Sequence, residues 1–219
     1  MTIDILQLGI ILGVILVSMT LHEVMHGFIS YWLGDDTAKL QGRLTLNPIK
    51  HIDPFLTIVL PILLAITGAP IFGGAKPVPF NPERIRGEEW GVAAVAIAGP
   101  LTNLLLAFVA FGALVLSGLV TQQGIVGDGG IVGVILLYFV YINIGFFVFN
   151  MLPIPPLDGS RVLYALAPDF VRRGMEFIEP YALFVVFAIV LFANNALGAF
   201  MGGAIQFFTD VFSRLFIGI

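Results

Sequence analysis

Cysteine is absent from this 219-residue chain, charge is scarce, and histidine is scarcer still at three residues. Without Cys there is no disulfide framework, no iron–sulfur cluster and no thiolate zinc site, so a transition metal would have to be held by His, Asp or Glu. Only 11% of residues are charged, and 10 Lys and Arg against 14 Asp and Glu leave a formal net charge of −4. That balance argues against nucleic acid as a partner. The first apolar run also lacks a basic n-region and a small-residue cleavage site, so it reads as a retained helix rather than a secretory signal.

What fills the chain instead is apolar. Hydrophobic residues make up 58% of it, 20 of them Phe, and the mean hydropathy is +1.02. A soluble globular domain falls far below this. Runs near 4–33, 91–120, 130–152 and 180–197 approach or exceed the roughly 20 residues that a helix needs to cross a bilayer. The expected fold is an all-α polytopic membrane protein with about four to six transmembrane helices. Residues 1–219 read as a single membrane-embedded domain. The C-terminal run admits two readings, a turn between two spans at Asn194-Asn195 or Gly202-Gly203, or one span followed by an interfacial helix.

The stretch 54–72 is apolar too, but Pro54, Pro61, Gly68 and Pro70 argue against one regular helix through hydrocarbon. If it dips and returns, Lys39, Arg43, Lys50, Lys76, Arg84, Arg86, Arg161, Arg172 and Arg173 share one face. Lys and Arg accumulate on the cytoplasmic side, so the sequence favours a re-entrant segment with that face cytoplasmic and the N-terminus outside. Beyond it, 72–82 alternates proline with other residues and reads as an extended, hairpin-like loop at the membrane surface.

Inside the first span stands His22-Glu23-Val24-Met25-His26. An HExxH helix presents two imidazoles on one face, close enough to grip one zinc ion, with the glutamate beside them as general base. Ionisable residues within a span are costly and so are functional candidates. A catalytic zinc normally has three protein ligands beside an open position. His51 and Asp158 are both candidates for the third. Gly99-Pro100 with Asn103 reads from the residues as a helix-packing and kink site, because small residues let helices approach closely.

Three motifs in order, HEVMHG at 22–27, GPLTN at 99–103 and NMLPIPPLDG at 150–159, resemble the core signatures of the site-2 protease family of intramembrane zinc metalloproteases. The resemblance runs from about Leu16 to Val162. NPIKHIDP and AKPVPFNP are similar to the compact bacterial and archaeal subgroup that lacks PDZ or CBS domains. It implies His22, His26 and Asp158 as zinc ligands, with Asp158 preferred over His51, Glu23 as base, and the GPLTN segment beside the site.

The expected activity is then zinc-dependent cleavage of a transmembrane-helix protein substrate within the lipid bilayer of a prokaryotic cell, near the cytoplasmic side. The substrate would have to unwind locally, with Lys76, Pro77 and Val78 offering an extended edge and Asn150 a hydrogen bond to its backbone. A substrate-presenting partner or an oligomer is expected to assist selection. Two other classes fit the same residues, a divalent-metal transporter and a catalytically silent membrane chaperone. The first would spread its ligands along a path across the membrane. The second would have no need of Glu23.

Overall fold

In a computed structural model of the protein, which describes residues 5–59, 74–121, 124–125 and 129–218, the first apolar run is one helix, α1 (Ile5–Trp32). Its buried positions Val14, Ser18, His22, His26 and Ser30 recur every fourth residue, the spacing that keeps side chains on one face. Leu6, Leu12, Val17 and Phe28 are exposed. The inward stripe is thus small and polar and the outward surface apolar, as lipid requires of a spanning helix.

A one-turn helix α2 (Thr37–Leu40) and a 3-10 turn at Pro48–His51 follow. The expected re-entrant stretch opens as a π-turn over Pro54–Val59, and from residue 60 to 73 it lies outside the described residues. Residues 74–81 are extended, as the alternating prolines suggest, but no ladder partner joins them among the described residues. Pro77 and Pro79 carry no N–H, so the middle of this strap loses two donors. The strand pair that is described lies elsewhere, Val120–Thr121 against Gly124–Ile125.

Six further helices among the described residues then build the body. The second spanning helix, α3 (Glu88–Leu116), is central and touches α1, α4 (Gly130–Asn150) and the short α5 (Asp158–Leu166). α6 (Asp169–Ile178) runs through a 3-10 turn into α7 (Ala182–Phe192), and α8 (Asn194–Ile217) closes the described chain. Among the described residues, four helical stretches are long and apolar enough to cross a membrane: Ile5–Trp32, Glu88–Leu116, Gly130–Asn150 and Asp169–Phe192. The chain is a multi-pass membrane protein.

The C-terminal break falls at Ala193, while Gly202-Gly203 lies inside α8. That helix packs on α3 and α4 through its aromatic side chains. Phe212 meets Phe108 edge-on at 5.3 Å, Phe208 meets Phe147 at 5.3 Å, and Phe216 fills the notch left by Gly112. Phe212 joins Ala107, Phe111, Leu114, Val140, Ile144 and Val148 in the apolar core, with Phe108, Phe147 and Phe208 packed against it, leaving the polar α1–α3–α5 side for the site.

Candidate metal centre

Successive turns of α1 aim two imidazoles at one point, with His22 Nε2 and His26 Nε2 3.0 Å apart. The third group comes from the far end of the chain. Asp158 is the first residue of α5, and its Oδ2 lies 3.2 Å from His22 Nε2 and its Oδ1 3.5 Å from His26 Nε2. Gly159 makes this possible, since a Cβ there would stand 2.3 Å from the Met151 carbonyl oxygen. Glycine lets the first turn of α5 dock against the end of α4, and docking delivers the carboxylate.

The far sides of the two rings settle which nitrogens face the centre. His26 Nδ1 lies 2.8 Å from the Val95 carbonyl, which can only accept, so that nitrogen carries the proton and donates. His22 Nδ1 likewise faces Asn103 Oδ1 at 2.6 Å. Both Nε2 lone pairs and the Asp158 carboxylate are therefore turned towards one another. Such an arrangement is repulsive unless a proton or a metal cation lies between them.

The spacing suits a metal. Tetrahedral zinc with ligands at about 2.0–2.2 Å needs ligand atoms roughly 3.3 Å apart, and the three observed separations are 3.0, 3.2 and 3.5 Å. Among the described residues these three form a group able to hold a metal ion. The ring protons held by Asn103 and Val95 are the outer contacts that orient metal-binding histidines.

Gly99 and Asn103 therefore do more than the packing that their residue types suggest. Gly99 faces the two Nε2 atoms directly, and Asn103, fully buried, accepts the His22 proton. The signal for Asn103 was available as an amide in an otherwise apolar span. The second amide of the same kind, Asn143 on α4, was missed.

The remaining expected residues divide between the centre and its rim. Glu23 Oε2 accepts a hydrogen bond from the Val78 N–H at 2.7 Å. The Val78 side chain sits in a notch that exists because residue 27 is glycine, its Cγ1 being 2.9 Å from where a Cβ would be. Lys76 and Pro77 are exposed, and their carbonyls accept from the buried Arg43 guanidinium at 2.7 and 3.3 Å. His51, the other candidate for third ligand, is outside the cluster. It is buried, its Nε2 donates to the Thr45 carbonyl at 2.8 Å and its own carbonyl accepts from Lys76 N–H, so it braces the strap. Asn150 donates within α4, to the Phe146 carbonyl at 3.0 Å.

A sequence profile described as Peptidase family M50 matches residues 120–193, which include Asp158. The likeness extends well beyond that segment. "Putative zinc metalloprotease YwhC" of Bacillus subtilis (strain 168) is 42% identical over 180 residues, covering 82% of this chain and 78% of its own. The chain belongs to peptidase family M50. Other similar proteins are "Putative zinc metalloprotease Rip2" of Mycolicibacterium smegmatis, 29% identical over 89% of this chain and 71% of its own, and "Putative zinc metalloprotease MJ0611" of Methanocaldococcus jannaschii, 34% identical over 48% and 50%. No solved structure matches. The M50 likeness bears out the resemblance to site-2 proteases, and zinc is the metal that membership implies.

Proposed function

We propose that this M50 protein is an intramembrane zinc endopeptidase that cuts transmembrane segments of membrane proteins near the cytoplasmic face of a prokaryotic cell membrane. The observation that supports this most is the convergence of His22, His26 and Asp158 inside the bundle, on a spanning helix that also carries Glu23. A transporter would need ligands along a path, and these three meet at one point.

Depth follows from the tryptophans. The chain has two, and both are exposed at one end of the bundle, Trp32 at the end of α1 and Trp90 in the first turn of α3. Backbone contact between Arg86 N–H and the Leu33 carbonyl joins those two ends. Tryptophan favours the membrane interface, and six residues of helix put His26 about 9 Å from the level of Trp32. The same end bears the basic loop residues. This supports a shallow centre, within reach of water from the cytoplasmic side.

Bound by His22, His26 and Asp158, zinc would supply Lewis acidity, polarising a carbonyl and making a water acidic enough to attack it. Glu23 is the residue to take that proton and return it to the departing amine. The Val78 N–H holds its carboxylate towards the strap. The substrate helix must unwind, because its own hydrogen bonds shield its carbonyls. Val78 C=O and Phe80 N–H have no hydrogen-bond partner among the described residues and adjoin the Val78–Glu23 contact in the chain, so they are the groups an unwound segment would pair with. Asn150 uses one amide hydrogen within α4 and keeps its carbonyl oxygen for substrate backbone. Substrate choice would rest on prior trimming by another protease, on a presenting partner protein or on an oligomer.

Reconstitution in liposomes with a labelled transmembrane substrate tests the reading. Product masses should place the cut within the cytoplasmic third of the substrate's span. Cuts only in its soluble flanks, or metal flux that survives Glu23→Ala, would reject it.

A further inference from the structure

The polar stripe of α1 continues past the metal centre into a chain of buried side chains that the chemistry above does not use. Asn103 Nδ2 donates to Asn143 Oδ1 at 2.8 Å, and Asn143 Nδ2 donates to Ser18 Oγ and to the Phe139 carbonyl, each at 2.9 Å. Ser18, Asn103 and Asn143 are all 0% exposed and belong to three different helices. Amides buried this deeply in an apolar bundle are costly unless each is satisfied in one consistent arrangement.

That arrangement has a direction. The Phe139 carbonyl can only accept, so the NH2 of Asn143 must face it and the Asn143 oxygen must face Asn103. Asn103 must then present its own NH2 to Asn143, a choice the Ser18 carbonyl 3.5 Å away reinforces. Its oxygen is left for His22 Nδ1. Reversing Asn103 would set two amide oxygens against each other at the 2.8 Å contact and turn an NH2 towards His22 Nδ1. The imidazole proton would move to Nε2, where it occupies the lone pair that faces Asp158. Reversing Asn143 as well would set its oxygen against the Phe139 carbonyl.

From this we infer that Asn143 is a positioning residue for His22, fixing through Asn103 which ring nitrogen is free to bind metal. A backbone carbonyl on α4 is thereby read out as the tautomer of a histidine on α1. The consequence for zinc rests on the functional reading above; the tautomer itself does not.

Two substitutions separate the role from mere packing. Asn143→Leu keeps the volume but removes the acceptor for Asn103, whereas Asn143→Asp is nearly isosteric and, with its carboxyl protonated towards the Phe139 carbonyl, still accepts from Asn103. The chain has three histidines, so imidazole-¹⁵N spectra of the purified, metal-free protein are simple, and His22→Gln assigns the signal. Wild type and Asn143→Asp should show His22 protonated at Nδ1; Asn143→Leu should show a mixture or the Nε2-protonated form. Competition with a zinc chelator should find affinity about 10- to 100-fold weaker in Asn143→Leu and near wild type in Asn143→Asp. An unchanged His22 tautomer in Asn143→Leu, or a tautomer shifted equally in both variants, overturns the inference. Should the leucine variant not fold, the smaller Asn143→Val, which also removes the acceptor for Asn103, is read in its place by the same criteria. A wild type that shows the Nδ1–H tautomer yet binds no zinc would sink the metalloprotease reading and leave this one standing.

Discussion

Gly99 lies so close to His26 that a Cβ on it would stand 2.4 Å from the Nε2 of that ring, and 2.6 Å from the Nε2 of His22. Neither α1 nor α3 can yield without breaking the Val95 and Asn103 contacts that orient the rings. Gly99→Ala should therefore lose bound zinc and cost about 1–3 kcal/mol of stability through overpacking. Metal analysis of the purified variant beside its thermal unfolding checks both. Full zinc occupancy in Gly99→Ala would show that the helices have slack the structure denies them.

The link between strap and base is also open to test. Val78 is flanked by Pro77 and Pro79 in extended backbone, so Val78→Pro removes the N–H that Glu23 accepts with little change of chain path. A hydrogen bond to a charged group is worth about 1.5–3 kcal/mol, so kcat should fall by roughly tenfold or more. Zinc content should hold. Val78→Ala keeps the N–H and loses only packing against Gly27, so its loss of kcat should be smaller. Equal losses in the two variants would mean that packing, not the hydrogen bond, is what the strap contributes.

Asp35 anchors the other end of the strap. It is fully buried just beyond α1, and its carboxylate accepts from the Thr37 N–H at 3.1 Å, the Thr37 hydroxyl, and the Asn81 N–H at 2.7 Å. Burial opposes ionisation, but these hydrogen bonds outweigh it and hold the carboxyl below its ordinary value of 3.8. A group depressed on folding contributes stability that is present above its unfolded pKa and lost as pH falls through the folded one. The strap should thus loosen below about pH 4, seen as faster hydrogen exchange at the Asn81 amide. Asn in place of Asp35 turns a donor towards one of these N–H groups, so Asp35→Asn should cost about 1–3 kcal/mol at neutral pH and flatten that acid limb. A wild-type acid limb in Asp35→Asn would remove Asp35 from the account.

Much of this was legible in the residues because the bilayer leaves few alternatives. Long apolar runs declare spans, and His22, Glu23 and His26 stand out within one as costly groups that need a purpose. Asp158 could not be separated from His51 by spacing alone; the two differ by Gly159, whose missing Cβ docks α5, and by the loop in which His51 braces Lys76. Asn143 was hidden because a single amide in an apolar helix has no local pattern, and its meaning lies in partners 40 and 125 residues away. The fourth span was placed at 180–197, yet the helical stretch begins at Asp169 and ends at Phe192. The charges of α6 obscured its start, whereas the break at Ala193 falls beside Asn194-Asn195, one of the turn positions the sequence offered.

The central claim is tested most directly by zinc stoichiometry measured beside cleavage of a labelled transmembrane-helix substrate, for wild type, Glu23→Ala and Asp158→Ala purified in lipid. The account predicts one zinc and cleavage in wild type, zinc without cleavage in Glu23→Ala, and neither in Asp158→Ala. Equal zinc and equal cleavage in all three would contradict it.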